Sequence, residues 1–586
     1  MAQFGVEGDH FVFNGEQIQL LSGAIHYFRV VPEYWEDRLI KLKALGLNTV
    51  ETYMPWNGHE PRKGEFCFTG LYDFEKFVKL AGDLGLHVIL RPSPYICAEW
   101  EFGGLPAWLL AESDIRLRCY DETYLKHLDA YYDELLPRIE PLLCTHGGPV
   151  IALQIENEYG SYGNDKQYLA HIRDAMVSRG MDVLLFTSDG PTDSMLQGGT
   201  LEGVLATVNF GSRATEAFAT LRKYQPEGPL MCMEFWNGWF DHWMDKHHTR
   251  EAADVAVALD EMLAAGASVN FYMLHGGTNF GYLNGANHVH RYEPTVTSYD
   301  YDALLNEAGE PTAKYWAARE VLGRYVELPP LQLPEPTPKR GYGTVRLEEQ
   351  GSLFGQLDAL SVPVQATCPE PMEKLGQAYG YILYSTFVPG PKSGMSLHVQ
   401  EVRDRAIVYV DGQYHGVVER WQPEPLKLDI PEQGAQIDIL VENMGRINYG
   451  PLMADRKGIT EGVRLDNQFL YHWTIRSLPL ETLEGVSFVD EVLVEKSANE
   501  GQRPAFYRGH FEVDDLADTF LRLDNWTKGQ VYINGFLLGR YWEAGPTRTL
   551  YIPAPLLRAG RNELVVFELH GTRSPDVVLT DEADLG

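Results

Sequence analysis

Acids, amides and aromatic rings gather at a few points of this chain, each at the end of a short apolar run. These points are Glu51-Thr-Tyr53, Ala98-Glu99-Trp100, Gln154-Ile-Glu156-Asn157-Glu158, Ser188-Asp189, Asn209, Glu234-Phe-Trp236 and His275-Gly-Gly-Thr-Asn279. The set contains no glycine-rich phosphate cradle, no G-x-S-x-G elbow and no H-E-x-x-H metal pair. It can supply two carboxyl groups facing each other across a cleft. One carboxyl that gives a proton and one that attacks carbon, ~5–5.5 Å apart, are what hydrolysis of a glycoside with retention requires. Rings beside them would offer a sugar its apolar face, while the amides and remaining acids would bind its hydroxyls. Buried acids also serve as structural partners of cations, here Arg91, so spacing alone leaves both uses open.

Such groups can meet only if one scaffold carries all the runs. Residues 1–325 alternate strand-like and helical segments. Phe11 to Ile18 reads as a hairpin, because Asn14-Gly15 supplies two positive-φ positions. Strands are expected at 20–27, 49–54, 87–96, 150–158, 184–188, 207–210, 230–235 and 268–274. Helices are expected at 32–45, 73–84, 124–143, 166–178, 215–224 and 250–264. Trp35, Leu39 and Leu42 form one apolar stripe at helical spacing, and Val255, Leu259 and Met262 form another, with Thr249 a candidate N-cap. Eight strands within about 275 residues, mostly separated by helices, fit a (β/α)8 TIM barrel, in which reactive side chains leave the C-terminal strand ends. A doubly wound sheet would carry a glycine-rich loop after its first strand; here that turn reads His26-Tyr-Phe-Arg29.

Beyond the barrel, expected over 1–326, the proline-rich stretch 327–340 opens a linker and connecting strand spanning 327–375. The helical period then disappears. Tyr381–Phe387 resembles Phe506–Phe511, Ile407–Gly412 resembles Val531–Gly535, and Asp429–Pro431 resembles Tyr551–Pro553, always roughly 120 positions apart, the mark of a diverged repeat. The fold class is therefore multi-domain: the N-terminal barrel followed by two all-β sandwich domains, 376–488 and 489–586. Whether the sandwiches bind sugar or only buttress the barrel is open at this level.

The 586 residues carry 49 Lys+Arg against 82 Asp+Glu, a net charge of −33, with 44% hydrophobic and 12% aromatic residues. That composition excludes intrinsic disorder, and the charge repels nucleic acid and anionic membranes. No apolar run reaches the ~18 residues of a transmembrane helix. The first residues, MAQFGVEGDHFVFNG, have neither the basic nor the apolar region of a signal peptide. Six cysteines without a CxxC point to free thiols and a cytoplasmic location, with Cys97 and Cys232 in strand-like runs. Nothing beside Cys97 in sequence would lower its pKa, so a nucleophilic thiol is not expected. His288-Val-His290 has metal-ligand spacing but lies in a loop of a chain with 18 histidines, and no metal is expected. His247-His248 reads as a loop leading into a helix.

The wording of the motifs adds a resemblance. Ser22-Gly-Ala-Ile-His26-Tyr, Glu51-Thr-Tyr53-Met-Pro-Trp56-Asn-Gly-His59-Glu60-Pro61 and Pro94-Tyr95-Ile-Cys97-Ala98-Glu99-Trp100 resemble glycoside hydrolase family 35. So do Gln154-Ile-Glu156-Asn157-Glu158-Tyr159-Gly160, Glu234-Phe-Trp236-Asn-Gly-Trp239, Gly276-Gly-Thr-Asn279-Phe-Gly and Thr297-Ser-Tyr299-Asp300-Tyr301-Asp302-Ala303. The resemblance covers the barrel in the family's order and reaches into the sandwiches, which it implies to be jelly-roll, galactose-binding-like domains. It implies a retaining exo-β-galactosidase without cofactor that acts on β-galactoside oligosaccharides. The short form with two sandwiches looks most like bacterial enzymes preferring β-1,3 linkages; a homodimer is left open. By motif, Glu158 is implied as acid/base and Glu234 as nucleophile. Tyr53, Ala98 through its backbone, Glu99, Asn157, Tyr272 and Tyr301 are implied to bind galactose. Trp239 and Trp243 are candidates for stacking the aglycone sugar, with core packing as the other use of each. Two positions depart from the commonest wording: Ser93, where Gly is frequent, and Trp236, where Tyr is frequent. An indole at 236 would narrow the pocket near the nucleophile or move a hydrogen bond from hydroxyl to N–H.

These assignments carry physical conditions. Glu158 must begin protonated, which calls for an apolar wall and the nearby charge of Glu234. Strict alternation would put Glu156 and Glu158 on one face and Asn157 on the other, yet the chemistry wants Asn157 and Glu158 at the same mouth. A bulge or sharp turn is therefore expected at this strand end, with Glu156 left out of the site. Two other readings are a carbohydrate-binding protein with a catalytically silent barrel, whose sign would be a missing carboxylate, and a related barrel glycosidase with different sugar specificity.

Overall fold

The structure, a computed structural model, describes residues 2–490, 492 and 503–586. Residues 491 and 493–502, within the second expected sandwich, lie outside the described residues. Eight parallel strands close into a barrel: β1 (Leu21–Ile25), β2 (Thr49–Tyr53), β3 (His87–Arg91), β4 (Val150–Gln154), β5 (Leu184–Asp189), β6 (Leu205–Phe210), β7 (Met231–Trp236) and β8 (Ser268–His275). Helices follow them in turn: α1 (Trp35–Leu45), α2 (Phe74–Asp83), α3 (Glu122–Ile139), α4 (Lys166–Ser178), α5 (Asp193–Gly199), α6 (Ala214–Tyr224), α7 (Ala252–Ala264) and α8 (Ala313–Leu322).

Local chemistry sets many of these boundaries. Asp73, Asp121, Asp165 and Thr192 cap α2, α3, α4 and α5 by accepting backbone N–H groups of the first turn. The stripe Trp35, Leu39 and Leu42 is fully buried against the barrel wall, as is Val255, Leu259 and Met262 of α7. Thr249 is not the cap of that helix: α7 begins at Ala252 behind Glu251, with no side chain capping it. The short helix α5 lies in a stretch whose apolar residues are too few for a recognisable period.

The barrel's lower mouth is closed by the N-terminal hairpin. Its turn residues Asn14 and Gly15 have φ of 53° and 84°, the left-handed pair a two-residue turn requires. Phe11 packs there with the inward residues Ile89, Ile151, Phe186 and Met233. At the upper mouth β3 and β4 end earlier than their apolar runs. β3 stops at Arg91, before two prolines that cannot donate to a ladder, so Cys97 lies in a loop rather than a strand. β4 stops at Gln154.

The rest of the chain is β. A six-stranded sheet (containing Tyr381–Val388, Arg405–Val410 and Ala435–Glu442) faces a four-stranded one (containing Lys392–Arg403 and Gly458–Leu465) over an apolar core. The C-terminal sheet has eight strands, and the repeat is visible in it: Asp411-Gly412 and Asn534-Gly535 make equivalent hairpin turns, all four residues at positive φ. The segment read as linker and connecting strand is more integrated than its prolines suggest. Leu328 and Leu333 pack on the barrel, and Gly343–Ser352 enters the C-terminal sheet between Ala505–Val513 and Asp576–Thr580. Its alternation of buried and exposed residues is that of a paired strand. Val364–Ala366 joins the other sandwich, at the edge of its six-stranded sheet.

The first sandwich is sewn to the barrel's upper face. Ile447–Tyr449 pairs in parallel with Ala286–His288, which pairs with Tyr292–Pro294. Beside this sheet Arg446 binds Glu101 of the barrel at 2.7 Å and Glu373 at 2.5 Å, all three fully buried. None of the described helices is long and apolar enough to cross a membrane.

Candidate active site

At the open end of the barrel a pocket of about 300 Å³ collects Tyr53, Ala98, Glu99, Asn157, Glu158, Glu234, Trp236, Trp239, Tyr272 and Tyr301. These are ten of the eleven residues singled out as catalytic, galactose-binding, aglycone-stacking or, at 236, shaping the pocket; the eleventh, Trp243, does not line it. Trp243 is 4% exposed and lies near Trp542, on a separate cavity of about 840 Å³ between the barrel and the C-terminal sandwich. It therefore cannot stack a sugar in the carboxylate pocket. Trp239, by contrast, is 39% exposed at the pocket wall.

Glu158 reaches the pocket through a backbone reversal. After Gln154 the chain leaves the sheet, and Glu156 and Glu158 adopt φ of 54° and 46°, left-handed values that cost a non-glycine residue ~1–2 kcal/mol each. The expected sharp turn is thus present. It brings Asn157 and Glu158 to the mouth together and turns Glu156 into the protein. Glu234 is delivered by a second irregularity: the pairing of β7 with β6 and β8 slips a register just after Cys232. The third wall, Cys97-Ala98-Glu99, is three consecutive left-handed residues with φ of 57°, 55° and 48°.

The two carboxylates meet different surroundings. Glu234 Oε1 accepts hydrogen bonds from Arg91 Nη2 at 2.7 Å and from the Tyr53 hydroxyl at 2.6 Å. Its Oε2 accepts from the indole N–H of Trp236 at 3.2 Å, so the tryptophan at this position does hydrogen-bond through N–H. Arg91 is buried in the barrel axis, with its guanidinium carbon 3.8 Å from the centre of the Tyr53 ring and Glu51 at 3.5 Å. Glu158 receives one donor, Asn209 Nδ2 at 3.2 Å. Burial, and then the negative charge of Glu234, push its carboxyl up to about 8. One acid is thus wrapped in donors while the other is pressed toward its protonated form.

Asn157 is oriented from below. Its Oδ1 accepts from Arg91 Nη2 at 2.7 Å and Gln154 Nε2 at 2.9 Å, which fixes the amide so that Nδ2 donates one long hydrogen bond of 3.5 Å to the Ile96 carbonyl and keeps its second N–H for a ligand. Glu99 accepts from the Tyr299 hydroxyl at 2.5 Å, and the Arg29 guanidinium carbon lies 3.7 Å from the centre of the Tyr299 ring. Burial raises the Glu99 carboxyl to about 7. Arg29 also donates to the carbonyl of Ala98. Tyr272 and Tyr301 stand edge to face with centroids 5.5 Å apart.

Other lining residues carried no sequence signal. Ser161, Thr192 and Met195 follow β4 and β5, Phe240 comes from a later loop, Asn287 from the strand Ala286–His288, and Tyr449 is supplied by the first sandwich. Arg91, read as a structural partner of acids, sits directly under Glu234. Cys97 lines the pocket, but burial holds its thiol well above its usual pKa. All six cysteines are unpaired. Among the described residues one trio could approach a cation, His242, Asp245 and Glu293. Its members already bind one another or Arg291, outside the carboxylate pocket. His247 and His248 both engage Asp241, at 2.7 and 2.9 Å.

Comparison with known proteins matches residues 10–325 to the family model "Glycosyl hydrolases family 35". Residues 369–480 match "Beta-galactosidase, first all-beta domain", and residues 504–562 match "Beta-galactosidase, galactose-binding domain". The chain is 46% identical to a β-galactosidase of Macaca fascicularis, covering 96% of this chain and 86% of the other. It is 46% identical to a β-galactosidase of Xanthomonas manihotis over 94% of this chain and 91% of that one. The human β-galactosidase is 45% identical over 97% of this chain and 87% of its own length.

Proposed function

Because the chain belongs to glycosyl hydrolase family 35 and is a glycoside hydrolase of the β-galactosidase class, we propose that it removes terminal galactose from β-linked oligosaccharides with retention, favouring β-1,3 linkages. One observation carries the mechanism: two carboxyls share one pocket in opposite electrostatic settings, Glu158 pushed up to about 8 and Glu234 surrounded by Arg91, Tyr53 and Trp236.

In this mechanism a Glu234 oxygen attacks the anomeric carbon while the bond from that carbon to the aglycone oxygen breaks. The departing oxygen takes the Glu158 proton, leaving a galactosyl ester on Glu234 and a carboxylate at Glu158. Esterification removes the charge of Glu234, the second cause of Glu158's high pKa, so Glu158 now suits a base. It takes a proton from water, whose oxygen displaces Glu234 from the sugar. The second N–H of Asn157 Nδ2 holds the 2-hydroxyl, a contact that strengthens as positive charge develops on the ring. Tyr53, the backbone of Ala98, Glu99, Tyr272 and Tyr301 bind the remaining hydroxyls and faces. A pocket of about 300 Å³ lies at the small end of ligand sites and suits one terminal hexose, the exo mode of action. The exposed face of Trp239 is the platform for the aglycone sugar. The unpaired thiols support residence in the cytoplasm.

The chemistry is tested by trapping with a 2-deoxy-2-fluoro-β-galactoside and mass spectrometry of the digested protein. An adduct on the peptide holding Glu234, with the β-anomer as first product by NMR, is the expected result. An adduct elsewhere, or inversion, rejects the assignment. Rates on β-1,3-, β-1,4- and β-1,6-linked galactobioses test the linkage preference; a β-1,4 or β-1,6 product formed faster would reject it.

A further inference from the structure

Glu156 takes no part in the pocket, yet it is the hub of a buried network under the reversed turn. Its Oε1 accepts from Arg118 Nε and from the Tyr168 hydroxyl, both at 2.9 Å. Its Oε2 accepts from Arg118 Nη2 at 2.9 Å and from the backbone N–H of Asn157 at 2.6 Å. The same Nη2 donates to the carbonyl of Asn157 at 2.9 Å. Gln154 Nε2 holds the carbonyl of Glu156 at 2.7 Å, and the N–H of Glu158 donates to the Ser188 carbonyl at 3.0 Å. Every backbone polar group from the carbonyl of Glu156 to the N–H of Glu158 is therefore pinned.

Arg118 comes from the loop before α3 and is itself fixed. Its guanidinium lies between the rings of Tyr95, 3.4 Å from the centroid, and Tyr162, at 4.3 Å. Arg118 and Glu156 are 2% and 0% exposed. A left-handed conformation at two non-glycine residues persists only where its surroundings over-determine it. The forked guanidinium meets the carboxylate at two points and the adjacent carbonyl at a third, a geometry that a lysine ammonium cannot reproduce.

We propose that Arg118 and Glu156 form a clamp that positions Glu158 for proton transfer, an inference resting on the reading of Glu158 as acid/base. Both are positioning residues, since neither faces the pocket. Release of the Asn157 carbonyl lets the turn relax and swings the Glu158 carboxyl away from the leaving oxygen, and misplacement by ~1 Å can cost ~100-fold in rate. The loss falls on leaving groups that need a proton.

The test compares Arg118→Lys and Glu156→Gln with the wild type, and with Glu158→Gln as reference. The substrates are β-1,3-galactobiose and 2,4-dinitrophenyl β-galactoside, whose phenolate departs unprotonated. Arg118→Lys should lose ~10–100-fold in kcat/KM on the galactobiose and less than ~3-fold on the dinitrophenyl substrate, with its alkaline pH limb displaced from the wild-type position. Glu156→Gln should move the same way by less, and it decides the matter if Arg118→Lys does not fold. Equal losses on both substrates with an unchanged pH profile would mean that the pair only maintains the fold, and would overturn the proposal. If Glu158→Gln itself shows no leaving-group dependence, the reading of Glu158 fails and the clamp falls with it. If the reference behaves and the clamp variants do not, the clamp alone falls.

Discussion

Replacing Glu158 by Gln should make the protein more stable, by an amount that depends on pH. Burial and the Glu234 charge raise the Glu158 carboxyl from 4.5 to about 8. Between these values the folded protein holds a proton that the unfolded chain has released, so stability falls as pH rises through that window, by ~1.4 kcal/mol per pH unit at most. At pH 7 this amounts to roughly 3 kcal/mol for a fully buried group. The side chain is partly open to the pocket, where water screens it, and about half of that, ~1–2 kcal/mol, is the expected effect. Glutamine keeps the shape and still accepts from Asn209. Glu51, Glu99 and Asp189, each raised to about 7, impose similar slopes on both proteins and cancel in the difference. Differential scanning calorimetry at pH 5, 6, 7 and 8 should show the barrel of the variant melting ~1.5–3 °C higher at pH 7. The gap should shrink below ~0.5 kcal/mol at pH 5 and level off above pH 8. A variant no more stable than the wild type at pH 7, or a gap independent of pH, would refute the electrostatic account of Glu158.

Glu234→Gln should lower kcat by at least ~1,000-fold on every galactoside, because it removes the proposed nucleophile. In Glu158→Gln, azide should restore turnover of aryl galactosides and give a β-galactosyl azide detectable by NMR. Tyr53→Phe deletes a 2.6 Å hydrogen bond to Glu234 and should cost ~10–100-fold in kcat/KM, the worth of one bond to a charged group. Trp243→Phe should leave KM for disaccharides unchanged while lowering the melting temperature, whereas Trp239→Ala should raise KM for disaccharides more than for aryl galactosides. Of the six thiols, the exposed Cys368 should react first with a disulfide reagent, and buried Cys144 and Cys232 only after unfolding, as thiol titration would record.

Much of this protein was legible locally. The alternation of apolar runs and amphipathic helices names the barrel, Asn14-Gly15 names its hairpin, and the motifs around Glu158 and Glu234 name the family. Even the reversal at Asn157 could be foreseen, because period-two alternation and the required chemistry conflict there. The misreadings share one cause. Thr249 as a cap and the strand-like run through Cys97 rest on near neighbours in sequence, which are equally unable to name the sheet that Gly343–Ser352 enters. Whether a threonine caps, where a ladder ends and which sheet a strand enters depend on residues far along the chain.

The amino-acid order by itself determined which groups are available: two carboxyls, an amide beside one of them, a tryptophan two residues after the other, and strand ends on which to mount them. Only the tertiary structure decided their states. Arg91 lies under Glu234, Arg118 grips the turn at Glu158, Tyr449 arrives from a separate sandwich, and Trp243 is turned away into another cavity. Proton affinity follows from desolvation and from charges a few ångströms away through space, and these distances exist only once residues hundreds of positions apart have been packed together.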